Sequence, residues 1–268
     1  MKVQDVMQTR LSTVCPEDHL GLALQQMLWQ EVRHLPVMNG SRFVGLLSER
    51  DILKAQAELE LPMTTIVADV MQTAVEHTHP FADLAAAAAT LSTKGLGCLP
   101  VLKDDQLVGI LTPTDVLGYV AQQPLPQPSK GQCAADLMTR NPLAVHEDDS
   151  LLNAAAKMAS KGVRHLCVVD VEGRILGMLS DRDLRSQVGQ AVNAQGSTAA
   201  PGVAERRVQQ AMTREARYVL PSTPVADLVN IFLVERLGAV PVVDTDDRVV
   251  GIVSYIDVLR ALAAGALS

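Results

Sequence analysis

The sequence predicts an α+β fold assembled from four copies of one small unit, and three observations predict it. The first is self-similarity at a fixed register. Each copy opens on a short segment ending in Met7, Met71, Met138 or Met212, and closes on Gly-apolar-apolar-Ser/Thr-x-x-Asp starting at Gly45, Gly109, Gly177 or Gly251, which stand 38, 38, 39 and 39 residues later. The second is a change of apolar periodicity inside each copy, from helical to strand-like and back. The third is the unequal character of the intervals between copies, which says how they pair.

The elements of a copy follow in order. Val3 to Met7 reads as a helical turn and Thr13-Val14 as a short strand. Leu20, Leu24, Met27 and Leu28 then recur at helical spacing. Leu35-Pro36-Val37-Met38 and Phe43 to Leu47 read as two strands around an Asn39-Gly40 turn, and a second helix begins at Asp51. The other copies keep this order. Nine residues after the Met stand Pro16, Pro80, Glu147 and Pro221; thirteen after it stand Leu20, Leu84, Leu151 and Val225, each opening an apolar stripe. In the second copy that stripe is small, with Ala85 to Ala89 between Leu84 and Leu91, as in a closely packed helix. Met27 and Met158 fall on core-facing positions.

A unit of this size buries little apolar surface alone, so the units should pair. We expect units at 1–58 and 62–122 to form one pair, and units at 132–188 and 203–264 the other. The Pro-rich spacer at 123–131 marks the boundary between pairs. The Ala-, Gly-, Ser- and Gln-containing stretch at 189–205 has no periodicity and reads as a flexible linker.

Composition narrows the function. Of the 268 residues 48% are apolar, 20% charged and only 3% aromatic, with a net charge of −7. Few aromatics leave little for base stacking, and an acidic chain without a Lys/Arg run grips neither nucleic acid nor anionic lipid. Cys15, Cys98, Cys133 and Cys167 lie far apart without a Cys-x-x-Cys, so neither zinc nor a disulfide framework is expected and small buried thiols are. The N-terminal segment lacks an apolar signal core and no apolar run is long enough to span a membrane, which points to a cytoplasmic protein. His77-Thr78-His79 puts two imidazoles on one strand face but has no third ligand, so no metal site is expected. No nucleophile-base set and no glycine-rich phosphate loop stands out, so an enzyme is the least supported class.

The chemistry-bearing element is the closing motif at a strand-to-helix junction. Ser/Thr followed three residues later by an acid is a capping box, with Pro113 suited to the first helical position. The same geometry suits a ligand: a helix N-terminus favours phosphate, a hydroxyl can donate to it, and an Asp one turn on can accept from two ribose hydroxyls. The Gly permits close approach to the strand. Capping and ligation are compatible.

On these residues the four copies resemble CBS domains, and two in tandem resemble a Bateman module. The resemblance covers nearly the whole chain. It implies β-α-β-β-α units joined as pseudo-twofold pairs in α/β/β/α layers, with two clefts per pair for adenosine-type ligands. It further implies that Ser48, Thr112, Ser180 and Ser254 contact phosphate and that Asp51, Asp115, Asp183 and Asp257 hold the ribose. The ligand expected is an adenine nucleotide, AMP, ADP or ATP, with Mg only as carried by the nucleotide.

The copies differ in one respect. Arg33-His34 and Arg164-His165 precede the hairpins of the first and third, where the second and fourth have Gly97-Cys98 and Gly238-Ala239. Arg50 and Arg182 precede the Asp in the same two copies. Arginine can bind phosphate bidentately, so the clefts of copies one and three are expected to favour phosphorylated ligands, with His34 and His165 as additional donors. Cys167 stands where the other copies have Pro. The expected function is a non-enzymatic sensor of adenine nucleotides that signals to an effector protein, associating as a homodimer or as a disc of two pairs within one chain. The alternative is a structural or interaction module with unoccupied clefts.

Overall fold

The computed structural model describes residues 1–123, 133–184 and 206–266. The Pro-rich spacer and the linker at 189–205 lie outside the described residues. The chain divides into two compact units, one made of Met1–Gln123 together with Leu259–Ala266 and one that runs from Pro124 to Val258.

In the first unit, repeat one opens on a single turn, Val3–Asp5, followed by α1 (Leu20–Trp29), β1 (His34–Asn39), β2 (Arg42–Ser48) and α2 (Glu49–Glu58). Repeat two follows the same order with a turn at Val67–Asp69, then α3 (Leu84–Lys94), β3 (Leu99–Lys103), β4 (Gln106–Leu111) and α4 (Pro113–Gln122). In the second unit, repeat three comprises α5 (Ala134–Leu137), β5 (Thr139–Arg140), β6 (Ala144–His146), α6 (Leu151–Lys161), β7 (His165–Val169), β8 (Ile175–Ser180) and helical residues 181–184 (α7). Repeat four comprises a turn at Val208–Gln210, β9 (Thr213–Arg214), α8 (Val225–Val234), β10 (Ala239–Val243), β11 (Val249–Ser254) and α9 (Tyr255–Ala263), of which the residues from Leu259 onward group with the first unit.

Local sequence explains the elements. Leu20, Ala23 and Met27 of α1 are buried at helical spacing, as are Leu151, Ala154 and Met158 of α6. Leu28, placed in the apolar stripe by its spacing, instead points outward at 66% exposure, because three residues per two turns already cover the sheet. The first hairpin turns at Gly40-Ser41, one residue later than its Asn-Gly pair suggests: Asn39 still pairs with Arg42, and Gly40 takes the positive φ of 59°. The short strand before the first helix runs parallel to the hairpin at Val14↔Val37, Thr78↔Val101, Val145↔Val168 and Val219↔Val242.

The repeats of a unit interlock rather than simply touch. Each opening segment leaves its own repeat and joins the hairpin of the other. Gln72 exchanges both backbone bonds with Leu46, at 2.9 Å each, and Gln8 does the same with Ile110. In the second unit Thr213 pairs with Met178 and Thr139 with Ile252. The turns follow: Val3 N–H donates to the carbonyl of Ala82 and Val67 N–H to that of Asp18, while Ala134 and Val208 reach Thr223 and Asp149.

The closing glycines make this crossing possible. A β-carbon on Gly45 would lie 2.7 Å from the Gln72 carbonyl oxygen and 3.0 Å from Met71 Sδ, and one on Gly109 would lie 2.6 Å from Met7 Sδ. Gly177 meets the Thr213 carbonyl and Gly251 meets Met138 Sδ in the same way. The recurrent Met and Gly therefore make one contact three times, Met71 on Gly45, Met7 on Gly109 and Met138 on Gly251, while at Gly177 the backbone of Thr213 takes that place. Between the sheets of the second unit, Cys167, Val169 and Met178 pack with Ala239 and partly buried Ile252, so sheet faces sheet. The helices cover the opposite faces, as the first-unit core of α1, α2, β1 and β2 side chains shows.

Candidate ligand clefts

The motif residues come together as four near-identical boxes at strand-to-helix junctions. Ser48 ends β2 with extended backbone (φ −110°, ψ 157°) and caps α2. Its hydroxyl donates to Asp51 Oδ2 at 2.5 Å, its backbone N–H donates to the same oxygen at 2.9 Å, and Asp51 N–H donates to Ser48 Oγ at 3.2 Å. Thr112 and Asp115 repeat this at 2.7, 2.8 and 3.3 Å, and Ser180 and Asp183 at 2.6, 2.8 and 3.3 Å. Ser254 donates to Asp257 Oδ2 through hydroxyl and backbone at 2.7 and 2.8 Å. The capping reading thus holds in all four copies, and it employs one carboxylate oxygen of each Asp.

In the first unit the other oxygen meets the neighbouring repeat. Gln8 Nε2 donates to Asp115 Oδ1 at 2.8 Å and Gln72 Nε2 donates to Asp51 Oδ1 at 3.2 Å. The strand pairing described above carries each Gln there. Sequence reading missed both glutamines, although their place directly after the recurrent Met was a usable signal.

The Arg-His sequences sit at the same ends of the hairpins. His34 lies in register opposite Ser48, and His165 opposite Ser180. The Arg33 carbonyl accepts from Glu49 N–H at 3.0 Å and that of Arg164 from Asp181 N–H at 2.9 Å, so part of each helix N-terminus is already satisfied by the chain. Arg33, Arg50 and Arg182 are exposed, and Arg164 is half-buried. The two imidazoles have a packing partner that the sequence did not disclose. A β-carbon on Gly97 would fall 2.6 Å from His34 Nε2, and one on Gly238 would fall 2.6 Å from His165 Nε2. The alternation of Arg-His with Gly therefore has a steric reason: each glycine makes room for the imidazole of the preceding repeat. Burial holds the His165 imidazole below its ordinary value of 6.5, with Asp181 and Asp183 pulling it up and Arg164 and Arg182 pushing it down.

The remaining candidates are placed as follows. Cys98 and Cys167 are buried, and burial pushes both thiols up to about 12. Contrary to expectation Cys15 is exposed, lying in the polar loop before α1, and Cys133 is only half-buried because its thiol helps cap α5 by donating to Asp136 Oδ2 at 3.1 Å. That bond raises the Cys133 thiol and lowers the Asp136 carboxyl. His77 and His79 are held locally, His77 Nδ1 near the Val75 carbonyl at 3.3 Å and His79 Nδ1 accepting from Phe81 N–H at 3.3 Å. Among the described residues no group of three His, Cys, Asp or Glu is placed to hold a metal ion, and no helix is long and apolar enough to cross a membrane.

A family model, the CBS domain, matches residues 3–58, 67–122, 134–189 and 208–264. The chain belongs to the CBS-domain family. This CBS-domain chain is 26% identical over 273 residues to MJ1225 of Methanocaldococcus jannaschii, with 95% of this chain and 96% of that one covered. The solved structure of MJ1225, a proposed archaeal homologue of γ-AMPK, superposes with a TM-score of 0.80 at 25% identity over 98% of this chain and all of that one. A conserved protein from Pyrococcus horikoshii shares the fold, with a TM-score of 0.70 at 20% identity over 98% of this chain and all of that one. MJ1404 of M. jannaschii is 27% identical over 97% of this CBS-domain chain, which spans 62% of that relative.

Proposed function

We propose that the protein is a non-enzymatic regulatory sensor that binds adenine nucleotides, AMP, ADP or ATP, in clefts at the closing motifs of its paired CBS domains and signals to an effector protein by a change of conformation. The observation that carries this reading is the fourfold recurrence of the Ser/Thr–Asp box at a helix N-terminus. A cap alone is served equally well by Glu or Gln at the third helical position, yet Asp stands there in all four copies. The similarity to a proposed γ-AMPK homologue over the whole chain supports the choice of adenine nucleotides. In this reading Ser48, Thr112, Ser180 and Ser254 turn toward phosphate, and Asp51, Asp115, Asp183 and Asp257 accept the ribose hydroxyls. Arg33, Arg50, Arg164 and Arg182 supply charge to phosphate, with His34 and His165 as additional donors.

A second reading, a structural module whose clefts stay empty, is favoured by the internal completeness of the boxes. Calorimetry of the ligand-free chain against adenosine, AMP, ADP and ATP, with and without Mg²⁺, separates the two. Saturable binding of at least one nucleotide is expected. No heat up to millimolar ligand overturns the sensor in favour of the structural module.

A further inference from the structure

We infer that the groove beside α8 in repeat four binds a small aliphatic ammonium group, that of a free amine or of an amino acid. The inference goes beyond the nucleotide reading and does not depend on it, since neither Ser254 nor Asp257 lines this groove.

The chain itself shows what the seat accepts. In repeats one and three the seventh residue of the long helix reaches down to a strand carbonyl: Gln26 Nε2 donates to that of Thr13 at 3.3 Å, and Lys157 Nζ to that of Ala144 at 2.7 Å. Thr13 and Ala144 each stand directly before the residue that pairs parallel with the hairpin, Val14 or Val145. In repeat four the corresponding residues are Tyr218, directly before Val219, and Ile231. Isoleucine has no donor, and among the described residues nothing donates to the Tyr218 carbonyl. What the missing side chain leaves is an open groove of about 360 Å³ whose lining includes Arg217, Tyr218, Leu220, Asp227, Asn230 and Ile231.

The charge of that lining fits a cation. Asp227 stands four residues before Ile231, on the same face of α8. Its counterparts in the other repeats are Leu22, Ala86 and Asn153, so the carboxylate occurs only in repeat four. Arg217 is itself paired with Glu235 at 3.5 Å, so these three charges leave one negative for a ligand. An ammonium carries three donors, enough for the Tyr218 carbonyl, which it meets as Lys157 meets Ala144, and for Asp227. Its aliphatic stem lies against Leu220 and Ile231, as lysine stems lie along apolar surface. Repeat two marks the limit of the pattern: Thr90 is short, donates at 3.1 Å to the Ala86 carbonyl of its own helix, and has no acid beside it.

The test is a nuclear magnetic resonance titration of the full chain with n-butylammonium chloride, whose four-carbon stem matches that of lysine, at constant ionic strength. Saturable shifts confined to residues 217–220 and 227–231 are expected. Tetramethylammonium, which has no N–H to donate, should leave those residues unmoved. Asp227→Asn, a change at an exposed position, should weaken binding about tenfold or more. Ile231→Lys should abolish it by seating the chain's own ammonium in the groove, and thermal melting shows whether that buried position tolerates the change. If it does not, the reciprocal variant decides. Lys157→Ile with Asn153→Asp, both at exposed positions of α6, should create a second set of shifts around Ala144. L-Norleucine binding more tightly than butylammonium supports the site with an amino acid as source, and weaker binding supports it with a free amine. No saturable shift in the natural chain, equal binding of tetramethylammonium, or undiminished binding in Asp227→Asn overturns the site, and none of these outcomes bears on nucleotide binding.

Discussion

The imidazole of His165 occupies the space that a side chain at position 238 would need: a β-carbon on Gly238 would stand 2.6 Å from Nε2 and 2.8 Å from Cε1. The backbone at Gly238 is not in the left-handed region, so only this contact demands glycine there. Gly238→Ala is expected to destabilise the chain by about 1–3 kcal/mol through overpacking. In a His165→Ala background the same change should cost less than about 1 kcal/mol, because the obstacle is gone. Denaturant unfolding of the two single variants and the double variant measures the coupling, and additive losses would show that the ring moves aside freely.

The same burial predicts a pH dependence. His165 titrates below its ordinary value of 6.5 in the folded chain, with desolvation as the main cause. Below 6.5 the unfolded chain binds the proton that the folded chain refuses, so this residue subtracts stability as pH falls toward its folded value and subtracts nothing well above 6.5. Unfolding free energies measured from about pH 7 down to about pH 5 should fall less steeply in His165→Gln than in the natural chain. An identical slope in both would mean that the imidazole protonates as easily in the fold as outside it.

Gly177→Ala should be more damaging than Gly251→Ala, although both glycines close the same motif. At Gly177 the obstacle is the backbone carbonyl of Thr213, which is fixed by the β8–β9 pairing, whereas at Gly251 it is the side chain of Met138. Methionine can change rotamer and a paired carbonyl cannot. Thermal melting should show the larger loss for Gly177→Ala, and Met138→Ala should reduce the cost of Gly251→Ala but leave that of Gly177→Ala unchanged.

Among the four boxes, Asp183→Ala should cause the largest loss of AMP affinity. Removing a charge-assisted bond costs about 1.5–3 kcal/mol, tenfold or more, and this cleft combines the Arg182 charge with the half-buried, less screened charge of Arg164. Asp51→Ala should follow, and Asp115→Ala and Asp257→Ala should matter less for AMP than for adenosine. Each change also removes a cap bond worth about 1 kcal/mol, so titrations belong at a temperature well below each variant's melting point. An unaltered AMP isotherm in the Asp51→Ala/Asp183→Ala double variant would contradict the ranking.

The sequence by itself determined the repeat, the order of elements within it and the four Ser/Thr–Asp boxes. These are local properties: periodicity selects helix or strand, and a capping box needs residues only three apart, so Ser48 and Asp51 meet wherever the helix forms. Tertiary structure alone decided what stands against them. Gln72 and Asp51 are 21 residues apart, and Gln8 and Asp115 are 107 apart. Only the exchange of opening segments between repeats brings these pairs together. The same exchange explains why Gly45 accompanies Met71, and the approach of the hairpins of repeats three and four explains why His165 accompanies Gly238, pairings that appear in the sequence merely as separate recurrences. A close approach between distant segments leaves no periodicity of its own, because the missing side chain on one strand answers a side chain or carbonyl that the other strand supplies.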